Sequence, residues 1–128
     1  MTTPWLEIDV STTERGLMGI LEFPLVPFDV KRLFWLSNVP SGELRGEHAH
    51  RTCEQFILCL TGSVHCRTEG KGGHFVEGDM EPGNAFHLRT FNWLVLSQFS
   101  TDATVLVLAN ELYDESEYIR SYDEFKTL

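Results

Sequence analysis

Glycine and proline fall so regularly between short β-branched and aromatic runs that most of this chain has no room for a long helix. KRLFWL, EQFILCL, FNWLVL and ATVLVLAN are each only a few residues long, and the segments between them include PSGE, TGS, EGKGG, EPGN and STD. Runs of this composition favour strands, and the intervening residues favour turns. Many short strands with Gly and Pro turns predict an all-β sandwich or barrel. WLEIDV reads as a first strand with STTERG as its turn, and GLMGILEF as a second extended piece. The two prolines of FPLVPFD bar a helix between Pro24 and Asp29 and leave an edge or connecting segment. Thr61-Gly62 reads as a tight hairpin connection between EQFILCL and SVHCRTE, and EGDMEPGN as a loop between two further strands. Only YDESEYIRSYDEF reads as helical, with Asp114 as cap and Glu115 and Glu117 beside the positive end of the dipole. Tyr113, Tyr118 and Tyr122 would pack that helix against the barrel.

The 128 residues, 42% of them hydrophobic, suffice for one compact domain spanning 1–128 and its own core. A net charge of -9 and a pI near 4.9 repel polyanions, which argues against nucleic acid as a partner. An anionic ligand would need a locally basic pocket. There is no signal peptide and no apolar run of about 20 residues, so neither export nor a membrane is expected. Cys53, Cys59 and Cys66 form an odd set without a CxxC pair, which fits a reduced, cytoplasmic protein. Cys59, inside FILCL, reads as a small buried apolar residue.

The stretch GELRGEHAHRTCEQFILCLTG, Gly42 to Gly62, carries the chemistry. Side chains two apart on a strand share a face, so His48 and His50 project into one space. Arg45 lies three residues before the pair. Paired imidazoles suit proton transfer because their ordinary pKa lies near neutrality. The competing readings are polar residues on an outer face, or core histidines held in hydrogen bonds; for Arg45 the competing reading is a surface arginine near a turn. His65, His74 and His87 have no comparable setting and read as structural or solvent-facing.

Glu14-Arg15-Gly16, KRLFWL, RGEHAH, CEQFILCLTGS and the ending VLANELYDESEYIRSYDEF together resemble the cupin-type sugar-nucleotide 3,4-ketoisomerases, over nearly the whole chain. The resemblance implies an RmlC-like jelly-roll barrel with a short C-terminal helix. It also implies a homodimer with exchanged N-terminal strands, and a metal-free enzyme without cofactor. The implied substrate is a nucleotide sugar, dTDP-4-keto-6-deoxyglucose, whose keto group moves from C4 to C3 through an enediol, in antibiotic or surface-polysaccharide sugar assembly. His48 and His50 match the catalytic pair, with His48 expected as the base and His50 as its proton-shuttling partner. Arg45 would hold the diphosphate or polarise a substrate oxygen. Arg32, Trp35, Gln55, Leu17 and Leu94 are the further expected substrate contacts. Trp35 and Trp93 could each stack on thymine or a sugar face, or simply pack in the core.

Metal binding is the rival for a His-x-His motif on this fold. It needs a glutamate where this chain has Gln55 and a third histidine where it has Leu94. Glu54 and His87 are neighbouring donors, but adjacent strand residues point to opposite faces. The chain also departs from the family. Phe34 and Trp35 replace two tyrosines, and Leu17 and Leu94 occupy positions associated with the face protonated at C4. Three readings stay open at this point: an active ketoisomerase, a related enzyme with a more apolar substrate, and a catalytically silent nucleotide-sugar binder.

Overall fold

The protein, described here for residues 3–128 by a computed structural model, is a jelly-roll barrel of two antiparallel sheets. Its strands are β1 (Trp5–Glu7), β2 (Asp9–Thr13), β3 (Gly16–Ile20), β4 (Arg32–Ser37), β5 (Arg45–His50) and β6 (Gln55–Thr61). They continue with β7 (Val64–Gly70), β8 (Phe75–Met80), β9 (Asn84–Leu88), β10 (Asn92–Ser97), β11 (Thr104–Ala109) and β12 (Tyr118–Ile119), and the short helix α1 (Tyr122–Lys126) follows. One sheet has the order β1-β9-β6-β11-β4, the other β12-β5-β10-β7-β8, and β2 and β3 form a separate hairpin. The all-β cupin architecture with a short C-terminal helix is thus the one expected.

Residue alternation explains the layers. In β6, Ile57 and Cys59 point inward, while Phe56 and Leu58 point out toward the N-terminal segment. The barrel interior is filled by Val64, Cys66, Met80, Phe86, Leu88, Leu94, Leu96, Val105 and Val107 beside them. Outside the first sheet, Ile8 and Val26 cover Phe56, Leu58 and Leu108. Outside the second, Phe125 of α1 and Ile119 of β12 pack on Trp93 and Ala49. Burying one such large apolar side chain contributes about 1.5–3 kcal/mol, enough to hold a helix of a single turn that could not persist alone.

Four local expectations change, the first at EGDMEPGN, where Glu77 to Met80 belong to β8, Asn84 opens β9 and only Glu81 to Gly83 form the connection. Thr61-Gly62 does not close a hairpin: β6 and β7 belong to different sheets, and the chain crosses between them there. Gly62 has φ +71, and a β-carbon on it would collide with Ser100, Asp102 and Ala103, so a glycine is required for a packed corner rather than a free turn. In STTERG, Ser11 to Thr13 continue β2 and the turn is confined to Glu14 and Arg15. In the tail, the single expected helix is three pieces. Asp114 accepts from the Ser116 amide and caps a 3-10 turn at Glu115–Glu117, β12 follows, and Ser121 caps α1. Pairing of Tyr118 with His50 and of Ile119 with Ala49 satisfies the edge of β5, and that tertiary pairing overrides helix propensity. Between Pro24 and Asp29 the chain makes only one 3-10 turn, Phe23–Leu25, with Pro24 in its first turn.

Candidate active site

The histidine strand is bent before it delivers its side chains. Opposite β10, the register of β5 slips between Leu94 and Val95, and Gly46 and Glu47 both have positive φ, +85 and +56. Such a bulge re-aims the residues that follow it. His48 then lies across from Leu94, and its Nδ1 is 2.9 Å from the Gly46 carbonyl oxygen. A carbonyl only accepts, so Nδ1 carries the proton and Nε2 the lone pair.

His50 is fixed the same way by a different partner. Its Nδ1 lies 2.5 Å from Glu117 Oε2, and the ring is wholly buried. The other carboxylate oxygen, Oε1, accepts from the backbone amides of Thr52 and Cys53, each at 3.1 Å. Burial alone would raise the Glu117 pKa, but the His50 bond and the two amides outweigh it and hold the carboxyl below its ordinary value. For His50, burial lowers the pKa and the Glu117 hydrogen bond and charge oppose it, with a net lowering. His48 drops from 6.5 to about 4, first through burial and then through the charge of His50. Both rings are therefore neutral bases near neutral pH.

The two imidazoles meet edge to face, centroids 4.8 Å apart and planes at 87°. Their Nε2 atoms are both buried without a hydrogen-bond partner, as is Nε of Arg32. Unpaired buried polar atoms are costly, and two on touching imidazoles mark a place built for a polar ligand. Tyr118 forms the wall, its ring 4.4 Å from His50 and 5.2 Å from His48. Leu94 lines the inner face opposite His48, and Gln55 is buried at the start of β6 between Leu88 and Ala109. Arg32 lies on the inner face of β4, its guanidinium beside Phe34 and Tyr113.

Other expected contacts lie elsewhere in this chain. Arg45 is exposed at the far end of β5, opposite Leu96. Trp35 is 63% exposed and points outward, because Phe34 and Leu36 take the inner face of β4. Leu17 is on the β2–β3 hairpin and lines an apolar cavity of about 330 Å³ with Ile8, Val10, Leu58 and Leu106, apart from the histidines. Trp93 packs under α1 against Tyr122 and Phe125. His65 bonds Asp79 and His87 bonds Glu54, both outside the barrel interior. Glu117 and Tyr118 were not legible from sequence as site residues: reading the tail as a helix hid the strand that turns them onto the histidines.

The donors do not compose the metal site of this fold. Gln55 and Leu94 stand at two ligand positions, and Glu54 and His87 bond one another at 2.6 Å on the other face. His50, Cys53 and Glu117 bring ligand atoms within 4.8 Å of one another. The Glu117 oxygens, however, are already taken by two amides and an imidazole 2.5 Å away, and burial raises the Cys53 thiol pKa, which disfavours the thiolate a metal needs.

The family described as FdtA: WxcM-like, C-terminal, matches residues 1–128. A TDP-4-oxo-6-deoxy-alpha-D-glucose-3,4-oxoisomerase of Aneurinibacillus thermoaerophilus is 36% identical over 115 residues, which cover 88% of this chain and 81% of that one. The sugar 3,4-ketoisomerase QdtA of Thermoanaerobacterium thermosaccharolyticum, solved with TDP, superposes with a TM-score of 0.87 at 28% identity, covering 96% of this chain and 90% of that one. A 3,4-ketoisomerase of Helicobacter canadensis superposes with a TM-score of 0.85 at 31% identity, covering 96% and 93%. The family match spans residues 1–128 and the relatives agree with it over most of the chain, so the chain belongs to the family FdtA: WxcM-like, C-terminal.

Proposed function

We propose that this protein is a sugar-nucleotide 3,4-ketoisomerase that moves the keto group of a TDP-linked 4-keto-6-deoxyhexose from C4 to C3. The observation that carries the reading is the pair of touching neutral imidazoles, each with Nδ1 occupied and Nε2 buried and unpaired. The named activities of the 36% identical relative and of the solved neighbours support it. A silent binder would have no use for two unpaired bases whose burial costs stability.

The chemistry balances within the substrate. A base takes the C3 proton, the electron pair forms the C3–C4 double bond of an enediol, and a proton returned to C4 leaves the ketone at C3. C3 is oxidised and C4 reduced, so no external oxidant or reductant enters. We assign His50 as the base, reversing the order expected from sequence, because the Glu117 carboxylate stabilises the imidazolium that forms. His48, whose pKa is about 4, is the weaker base and moves the proton between the two substrate oxygens. Arg32, with Nε unpaired, would bind an oxygen of the substrate, and the exposed Arg45 would meet the diphosphate. Leu94 gives the wall beside His48 an apolar surface that donates no proton.

A homodimer accounts for the rest of the surface. Leu17, Met18, Ile20, Leu33 and Trp35 are all exposed, on the hairpin and the outward face of edge strand β4. Apolar surface of this kind on one side fits a second copy of the chain, which would give Leu17 and Trp35 their role. No helix among the described residues is long and apolar enough to cross a membrane; a cytoplasmic setting, where sugar nucleotides are made, is part of the same proposal.

Incubation with TDP-4-keto-6-deoxyglucose in deuterated water, followed by NMR, tests the function. A 3-keto product carrying deuterium at C4 is expected. Binding of the sugar nucleotide with no product would overturn the reading.

A further inference from the structure

We infer that Glu117 is a positioning residue that locks His50 as its Nδ1–H tautomer and so keeps Nε2 free to accept the substrate proton. The inference rests on the ketoisomerase reading for what the freed nitrogen does, but the tautomer itself follows from the hydrogen-bond pattern.

Glu117 is 6% exposed and comes from the far end of the sequence to reach β5. Its Oε1 is spanned by two main-chain donors, the amides of Thr52 and Cys53, and its Oε2 faces His50 Nδ1. Amide N–H groups can only donate, so the carboxyl cannot rotate to present a proton to the ring without breaking them. The same residue also holds the strand: its carbonyl accepts from the Arg51 amide, and its own amide closes the Asp114-capped turn on the Asp114 carbonyl. The ring of His50 and the backbone that follows it, Arg51 to Cys53, are thus tied to one residue and one turn. Arg32 and Arg120 act on His50 against protonation, and Glu117 is the group that favours it.

A carboxylate is required for this role and an amide cannot replace it. In Glu117→Gln the two backbone donors would keep the oxygen at Oε1, leaving the amide NH₂ against Nδ1. The ring would then have to accept there and carry its proton on Nε2, where it is useless as a base. A tautomer trapped this way in a carboxylate-histidine pair costs on the order of 10³-fold or more in turnover.

The test is long-range ¹H–¹⁵N NMR of the His50 imidazole in the full chain, beside turnover of TDP-4-keto-6-deoxyglucose, for wild type, Glu117→Gln and Glu117→Asp. Expected are an Nδ1-protonated His50 in wild type, Nε2 protonation in Glu117→Gln with turnover down roughly 10³-fold, and partial recovery of both in Glu117→Asp. An Nε2-protonated His50 in wild type overturns the inference, whether or not the variants fold. So does a Glu117→Gln protein with its tautomer changed and turnover within tenfold of wild type. Nδ1 protonation in wild type without any turnover would support the tautomer lock and overturn the ketoisomerase reading instead.

Discussion

A β-carbon placed on Gly46 would lie 2.9 Å from the carbonyl oxygen of Leu94. That approach is what lets β5 slip its register against β10 and turn His48 back over the Gly46 carbonyl. Gly46 also has φ +85, where side chains are strained. Gly46→Ala should therefore lower stability by about 1–3 kcal/mol and slow turnover through displacement of His48. Gly72→Ala, where a β-carbon meets nothing within 4 Å, is the control and should leave both nearly unchanged. Thermal melting and initial rates read the two effects, and equal behaviour of the two variants would contradict the bulge's role.

Stability should fall on mild acidification. His48 is held neutral in the fold, its pKa lowered from 6.5 to about 4, so below 6.5 the unfolded chain takes up a proton that the folded chain refuses. The stability is complete above the unfolded value, declines as pH falls through that window, and has lost at most about 3 kcal/mol from this group once the folded pKa is passed. The lowered pKa of His50 adds in the same direction. Urea unfolding at about pH 7 and about pH 4.5 should show the decline, and His48→Asn should reduce it. A flat profile in wild type would contradict the burial of neutral rings.

The acid limb of kcat/KM should lie below the ordinary histidine value of 6.5, because burial lowers His50 more than Glu117 raises it. A midpoint at or above 6.5 would mean that the carboxylate dominates and the ring is charged at rest.

Tyr118 acts through its ring, which touches both imidazoles. Tyr118→Phe should keep turnover within a few-fold, whereas Tyr118→Ala should lose at least about 1 kcal/mol of stability together with most activity. Loss of activity in the Phe variant, measured beside its melting curve, would instead give the hydroxyl a part in proton transfer.

Most of this architecture could be read from the chain because strands and turns have local causes. Composition alone marked EQFILCL as a strand with Cys59 buried, and the two-residue spacing put His48 and His50 side by side. What escaped was set by partners distant in sequence. Thr61-Gly62 has hairpin composition, yet the packing of Gly62 against Ser100, Asp102 and Ala103 makes it a corner between sheets. ESEYIRSYDEF has acids well placed for a helix, yet the open edge of β5 draws Tyr118 and Ile119 into a strand. Glu117 could not be assigned until that strand was known, and the proposed order of the two histidines rests on it. Trp35 was placed on the right strand, but with Phe34 on the inner face it points outward.

Exchange at substrate carbon separates the two histidines most directly. Wild type, His48→Asn and His50→Asn would be incubated with TDP-4-keto-6-deoxyglucose in deuterated water and the C3 and C4 positions followed by NMR. The account predicts C4-deuterated 3-keto product with wild type, residual loss of the C3 proton but slow product with His48→Asn, and no C3 exchange at all with a folded His50→Asn. Undiminished C3 exchange in His50→Asn would contradict it.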